Sequence, residues 1–153
     1  MSIDDRLRLH DENRYTRQSL ALLHTAVSSP NCPPAGHAFW GLLHESARFF
    51  DTELPRHILE EETQVFPHYA CMDGAGELLA LREEHRVLHG MATEFARWVR
   101  RFAESPTDEA WRMVREHANA LEMAMRRHLD HEDAILRRLG HAEGRDAFGP
   151  PAD

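Results

Sequence analysis

Residues 81–102 read LREEHRVLHGMATEFARWVRRF, and the spacing of their apolar side chains decides the fold. Apolar residues recur in steps of three and four, which brings side chains to one face of an α-helix. The members of this face are Leu81, His85, Leu88, Ala92, Phe95, Val99 and Phe102. The stretch therefore predicts an amphipathic helix with one imidazole among apolar neighbours.

Two other segments carry the same periodicity, and titratable residues interrupt each of them as well. One face consists of Leu43, Ala47, Phe50, Leu54, His57 and Glu61, with Val65 near its continuation. The other consists of Trp111, Val114, Ala118, Leu121, Met125, His128, Glu132, Ile135 and Leu139. The first segment of the chain is rich in leucine but makes no single apolar stripe.

Three runs of helix-breaking residues separate these segments. They occupy residues 28–34, 73–76 and 105–108, where Ser, Pro, Gly and Asp cluster. Short connections between long helices favour antiparallel neighbours, so the sequence predicts an all-α, up-down-up-down antiparallel four-helix bundle. We place this bundle at residues 1–140, with Gly140 ending the last helix, and we expect residues 141–153 to form a flexible tail.

Composition and charge restrict the class of partner. The 153-residue chain has 26 acidic and 18 basic residues, a formal net charge of −8, which disfavours nucleic acid as the main partner. No stretch reaches the about 18 consecutive apolar residues of a membrane helix, and residues 1–6 do not resemble a signal peptide. We therefore expect a cytoplasmic protein that does not enter a membrane. The sequence leaves open whether the chain forms a homodimer.

Histidine is abundant, with 12 residues, and its placement on the helix faces indicates metal binding. The titratable residues on or beside these faces are His57 with Glu61, His85 with His89 one turn further, and His128 with Glu132. A spacing of four residues puts each pair on one helix face, one turn apart. Burying such groups without partners would cost on the order of several kcal/mol per charged group. A bound cation removes that cost, so the pattern predicts a metal centre.

The position of the histidines along the chain places them in one layer of the bundle. The first and third breaks fall at the same end, and His57, His85 and His128 lie roughly 20–25 residues from them. A ligand from the first helix at the same depth should lie about 22 residues before the first break, which matches His10. His24 lies only about 8 residues before that break, and we therefore prefer His10 over His24.

The types of ligand favour a pair of iron ions. Several imidazoles are combined with at least two carboxylates that could bridge two ions. A closed structural zinc site would prefer four ligands, often thiolates. The ferritin-like pattern would use Glu-x-x-His motifs on two helices, and the sequence lacks that paired form.

The sequence resembles the hemerythrin-like, or HHE cation-binding, family over roughly residues 5–139. The resemblance is carried by His57-x-x-x-Glu61 in HILEEETQVFP, His85-x-x-x-His89 in EEHRVLHG, and His128-x-x-x-Glu132 in HLDHEDAIL. It implies two carboxylate-bridged, non-haem irons with terminal ligands His10, His57, His85, His89 and His128. It also implies that Glu61 bridges the irons. The second bridge is Asp133 by the spacing of oxygen-carrying members, or Glu132, which we favour because it continues the apolar face.

This resemblance implies a function in binding O2 or NO, for sensing, storage, or redox and iron handling. Five histidines and two carboxylates would leave one iron with an open position for such a diatomic ligand. We expect a metal- and oxygen-binding protein rather than an enzyme. Two alternatives stay open: a di-iron enzyme acting on oxygen or peroxide, and a metal-free helical interaction module with structural histidines.

Overall fold

The computed structural model describes the backbone of residues 3–29, 31–33, 39–70 and 75–146, and the side chains of these residues except 3–12, 75 and 139–146. Within these ranges the chain is helical apart from short turns and contains no strand, which confirms the predicted all-α class. In the same ranges, no helix is both long enough and apolar enough to cross a membrane.

The described chain forms four helical stretches. The first is α1 (Ile3–Val27). The second covers residues 39–70 and consists of α2 (Phe39–Arg48), a first π segment (Phe49–Glu53), α3 (Leu54–Glu60), a second π segment (Glu61–Val65) and α4 (Phe66–Ala70). The third and fourth are α5 (Ala75–Glu104) and α6 (Asp108–Asp146). Three of the four follow the segments predicted from periodicity, and α1 forms without a tidy apolar stripe.

The end of the last helix differs from the prediction. α6 continues through Gly140 to Asp146, so the prediction that Gly140 ends the helix is wrong. An isolated glycine costs about 1 kcal/mol relative to alanine, which a helix of 39 residues tolerates. Of the tail predicted at 141–153, residues 147–153 lie outside the described part of the chain.

The start of α6 is capped and tied to the end of α1. The hydroxyl of Thr107 accepts a hydrogen bond of 3.1 Å from the backbone N–H of Ala110, which satisfies one of the unpaired donors of a helix N-terminus. The Arg115 guanidinium donates a hydrogen bond of 3.0 Å to the carbonyl of Val27, a terminal acceptor of α1. The second of these bonds links the two helices at this end.

The second π segment keeps the second stretch facing the interior. The buried residues His57, Glu61, Val65 and Tyr69 follow one another in steps of four. A regular α-helix has about 3.6 residues per turn, so such steps would rotate gradually away from the core. The wider turn of the π segment that begins at Glu61 absorbs the difference. Val65 and Tyr69 therefore remain on the same buried face as His57 and Glu61.

Two apolar clusters fill the interior, and a polar layer lies between them. The larger cluster includes Leu54, Leu88 and Met125, and the smaller one consists of Val65, Phe66, Tyr69, Leu78, Leu81 and Ile135. The order along the chain is Leu54, His57, Glu61, Val65 in the second stretch, Leu81, His85, Leu88 in α5, and Met125, His128, Glu132, Ile135 in α6. Each stretch thus passes from one cluster to the other through buried titratable residues, which we call the polar layer.

Helix contacts bring these residues together. α5 packs against α2, α3, α4 and α6, and α1 packs against α2 and α6. The contact between α5 and α6 sets His85 opposite His128. The polar layer is therefore assembled from residues distant in sequence.

Candidate metal centre

Glu61 lies at the centre of the polar layer. Its Oε1 atom is 2.9 Å from Nε2 of His57, one helical turn earlier in the same stretch. Its Oε2 atom is 3.2 Å from Nε2 of His85 in α5. All three side chains are buried. One carboxylate therefore lies between imidazoles from two helical stretches.

His128 of α6 completes a compact group of donor atoms. Its Nε2 atom lies 3.2 Å from Nε2 of His85. One ligand atom from each of Glu61, His85 and His128 lies within 4.8 Å of the others. Two ligands on opposite sides of one ion, with bonds of about 2.1 Å, are about 4 Å apart. The spacing is therefore suited to holding a metal ion.

Glu132 is a second carboxylate in the same layer, and its side chain is fully buried. The side-chain amide of Asn13 in α1 donates a hydrogen bond of 3.3 Å to Glu132 Oε2. Burial and the negative charge of Glu61 nevertheless raise the pKa of Glu132 well above its usual value. In the metal-free chain, Glu132 therefore favours its protonated form.

The pKa of Glu61 is shifted in the opposite direction. Burial disfavours its charged form, but the imidazoles of His57 and His85 outweigh burial and lower the pKa of Glu61 to about 2. The polar layer therefore favours ionisation of one carboxyl group, Glu61, and disfavours ionisation of the second, Glu132. A cation between the two carboxylates would allow both to be ionised.

The hydrogen bonds around these carboxylates are incomplete. Both oxygens of Glu61 and the Oε1 atom of Glu132 are buried and accept no well-directed hydrogen bond from the residues that the structure describes. The nearest imidazole nitrogens are Nε2 of His57, 2.9 Å from Oε1 of Glu61, and Nε2 of His85, 3.2 Å from Oε2. Carboxylate oxygens and imidazole nitrogens that converge at these distances could turn to one ion, so these residues fit a bound metal.

Two outer carboxylates contact the imidazoles, and neither is predicted from the sequence. Nδ1 of His85 lies 2.9 Å from Glu62 Oε1, and Nδ1 of His128 lies 2.8 Å from Glu84 Oε2. Such partners hold metal-binding histidines with the other ring nitrogen turned to the metal. The signal that could have found them is adjacency, because Glu62 follows Glu61 and Glu84 precedes His85.

His128 is favoured as a neutral imidazole. Burial lowers its pKa, and the neighbouring His85 adds to this effect, although the hydrogen bond with Glu84 opposes it. The neutral form has the free lone pair that a metal ligand needs. The protonation of His128 is therefore compatible with metal binding near neutral pH.

Two predicted ligands are not part of this cluster. His89 is exposed in α5, where Leu88 takes the buried position of that turn. Asp133 contacts Arg17 of α1, with Oδ2 3.0 Å from the guanidinium nitrogen, and its side chain is 39% exposed. Of the two candidates for the second carboxylate, the structure thus brings Glu132 into the layer and directs Asp133 to the surface.

The contribution of α1 is described only in part. His10 falls within α1, but its side chain lies outside the described residues. His24 is exposed, and its Nδ1 atom lies 3.1 Å from Glu122, ten residues before Glu132 on α6. His24 is therefore about 15 Å from the layer along the helix axis. The residue of α1 that reaches the layer in the described structure is Asn13.

Comparisons with known proteins give one result. Residues 7–139 match a family model described as the hemerythrin HHE cation binding domain. This range spans most of the chain and contains all the residues of the polar layer. Searches of curated proteins and of solved structures gave no match.

Proposed function

Because the chain belongs to the hemerythrin HHE cation-binding domain family, we propose that the polar layer binds two non-haem iron ions. The family match confirms the resemblance that the sequence motifs indicated. We further propose that this centre takes up O2 or NO. Such uptake would serve sensing, storage, or redox and iron handling. The proposal includes a cytoplasmic location.

The buried group of Glu61, His85 and His128 carries the proposal. Its donors come from three helical stretches, and within the described part of the chain both oxygens of Glu61 lack well-directed hydrogen bonds. A mixture of imidazole and carboxylate ligands suits iron better than magnesium or calcium, which prefer oxygen ligands alone. The second carboxylate, Glu132, adds a buried acidic group whose ionisation a nearby cation would favour.

The assignment of ligands follows from these positions. His57, His85 and His128 would bind through Nε2, Glu61 would bridge the ions, and Glu132 would serve as the second carboxylate. His10 and His89 are proposed as ligands from the sequence alone, because the side chain of His10 lies outside the described residues and His89 is exposed in α5, and each requires a separate test. Asp133 is left out because it pairs with Arg17.

The chain itself would contribute three properties to this chemistry. The apolar clusters on both sides of the layer exclude water from it. The outer carboxylates Glu62 and Glu84 hold two imidazoles in place. Burial lowers the pKa of His128 and so favours its neutral form. Iron, when bound, would supply the electrons and the open coordination position that a diatomic ligand requires.

We also propose the up-down-up-down antiparallel arrangement for the bundle. Contacts between α5 and α6 support it, because His85 lies near His128 whereas Phe102, later in α5, lies near Trp111, earlier in α6. Contacts between α1 and α6 run in the same opposed order, with Asn13 near Glu132 and Val27 near Arg115.

The test is the metal content and the ultraviolet-visible spectrum of protein purified without an affinity tag. About two irons per chain, with charge-transfer bands that change reversibly between the reduced and oxygen-exposed protein, are the expected result. Bands that form once and never revert would instead favour an enzyme acting on oxygen or peroxide. Protein that retains zinc or no metal, and takes up no iron on reconstitution, would refute the proposal.

Variants locate the iron within the chain. His57→Ala and His85→Ala should lower the iron content, because each removes an imidazole next to Glu61. His44→Ala is the matched control, since His44 is exposed in α2 and stacks on Trp40. His10→Ala and His89→Ala then test the two ligands assigned from the sequence. If one of these variants holds as much iron as His44→Ala, the residue replaced in it is not a ligand.

A further inference from the structure

Glu84 contacts two imidazoles at once. Its Oε2 atom lies 2.8 Å from Nδ1 of His128, and its Oε1 atom lies 2.8 Å from Nδ1 of His131. His128 is buried in the polar layer, whereas Glu84 and His131 are each partly exposed. One side chain of α5 thus joins a buried and a surface imidazole of α6.

These contacts determine which nitrogen of His128 carries the proton. An ionised carboxylate has no proton to donate, so a neutral imidazole bonded to it carries its proton on Nδ1. The Nε2 atom then has a free lone pair. This is the atom of His128 that faces His85 at 3.2 Å within the donor group. The other tautomer would place a hydrogen where the metal is proposed to bind.

We propose that Glu84 is a positioning residue that fixes the tautomer and ring orientation of His128 for metal binding. It performs this role because its two oxygens accept hydrogen bonds from His128 and His131 simultaneously. The inference rests on the metal centre proposed above. Glu62 holds His85 in a similar way, with a contact of 2.9 Å to Nδ1, and so provides a comparison within the same molecule.

Glu84→Gln tests the role of the second acceptor oxygen. The amide keeps the size of the side chain but has one acceptor and one donor, so it cannot accept from both imidazoles. We expect the affinity for cobalt(II), measured by anaerobic spectroscopic titration, to fall by roughly 10- to 100-fold. Glu83→Gln is the matched control, because Glu83 is the exposed neighbour that pairs with Arg86, and it should bind cobalt as the unmodified chain does.

A double variant separates this role from a purely structural one. When His131→Ala is added to Glu84→Gln, the amide oxygen can accept a hydrogen bond from His128 without competition from His131. Cobalt affinity should then recover to within about threefold of the unmodified chain, a coupling that independent structural damage would not produce. Zinc(II)-saturated protein offers a spectroscopic readout, the signal of the Nδ1–H protons. In Glu84→Gln, this proton of His128 should lose its protection from exchange with water, whereas the corresponding proton of His85 should keep its protection.

The outcomes distinguish this inference from the proposed function. Unmodified protein that binds neither cobalt nor iron would refute the metal centre itself. If the unmodified protein binds cobalt and Glu84→Gln binds it equally well, the role of Glu84 is refuted and the centre stands. A loss of affinity without recovery in the double variant would also refute the shared-acceptor role. A lower melting temperature of metal-free Glu84→Gln, with unchanged cobalt affinity, would show that Glu84 is only structural.

Discussion

The side-chain amide of Asn13 donates a hydrogen bond of 3.3 Å to Glu132, which lies 119 residues later in the chain. Both side chains are buried, and the bond crosses the contact between α1 and α6. It favours the charged form of Glu132 against the opposing effects of burial and Glu61. Asn13 therefore supports a candidate metal ligand, and we expect it to affect stability as well as metal binding.

Replacing Asn13 by alanine should destabilise the metal-free protein. The change leaves an oxygen of Glu132 buried without its donor, which typically costs about 1–3 kcal/mol. Urea unfolding in the presence of a chelator measures this loss. Asn119→Ala is the matched control, because Asn119 is exposed in α6, and the idea is wrong if the two variants unfold alike.

Glu132→Gln should stabilise the metal-free protein and weaken metal binding. The folded-state pKa of Glu132 is raised above its ordinary value of 4.5, so the carboxyl costs nothing below pH 4.5 and destabilises the fold increasingly as pH rises towards the folded-state pKa. The amide cannot ionise and avoids this cost. A gain of about 1 kcal/mol corresponds to a melting temperature higher by about 2–4 °C.

Melting curves of chelated Glu132→Gln and unmodified protein at several pH values check this prediction. The advantage of the variant should be absent near pH 4 and grow with rising pH, given the ordinary value of 4.5. A constant difference at all pH values would contradict the assigned cause. Iron content, measured on the same samples after reconstitution, should fall in the variant.

Asp133→Asn should have little effect on either property. Asp133 pairs with Arg17 in a contact whose two side chains are 35% and 39% exposed. Pairs of this kind contribute roughly 0.2–1 kcal/mol, and Arg17 keeps its second partner, Asp130. Metal analysis should find the iron content of the unmodified protein. An iron loss as large as that of Glu132→Gln would instead make Asp133 the second carboxylate ligand.

Adding iron(II) without oxygen should raise the melting temperature of the chelated protein in proportion to the logarithm of its concentration. A ligand that binds only the folded chain stabilises it by about 2.7 kcal/mol at one hundred times its Kd. The physical source is binding to the folded chain alone, where the charge of iron offsets the unfavourable ionisation of Glu132 beside Glu61. A melting temperature that does not respond to iron would argue against a metal centre in this layer.

The sequence allowed most of the helical framework to be predicted, because apolar spacing and breaker residues are local signals. The positions of His57, His85 and His128 on buried faces follow from this spacing, and all three are buried in the structure. The continuation of α6 beyond Gly140 could not be predicted in this way. A glycine weakens a helix without ending it, and the outcome depends on the residues that follow.

The partners of the site residues could not be predicted from spacing. Asn13, Glu62 and Glu84 contact the layer through angles and side-chain lengths that arise only when the helices are packed. His89 illustrates the limit in the other direction. Its spacing from His85 matches the motif. However, a helix advances about 100° per residue, so His89, one residue after Leu88, lies about 100° further around the helix. Leu88 occupies the buried face, and His89 therefore lies beyond it.

The polar layer also divides the interior into two unequal parts. The six buried residues on its far side, Val65, Phe66, Tyr69, Leu78, Leu81 and Ile135, have few apolar neighbours of their own. Regions with small apolar cores open at lower free energy than the rest of a domain. In the chelated protein, amide hydrogens of α4 and the first turns of α5 should therefore exchange faster than those beside the larger cluster. A metal held by Glu61, His85 and His128 would join the two parts into one cooperative unit, and this difference in exchange would shrink.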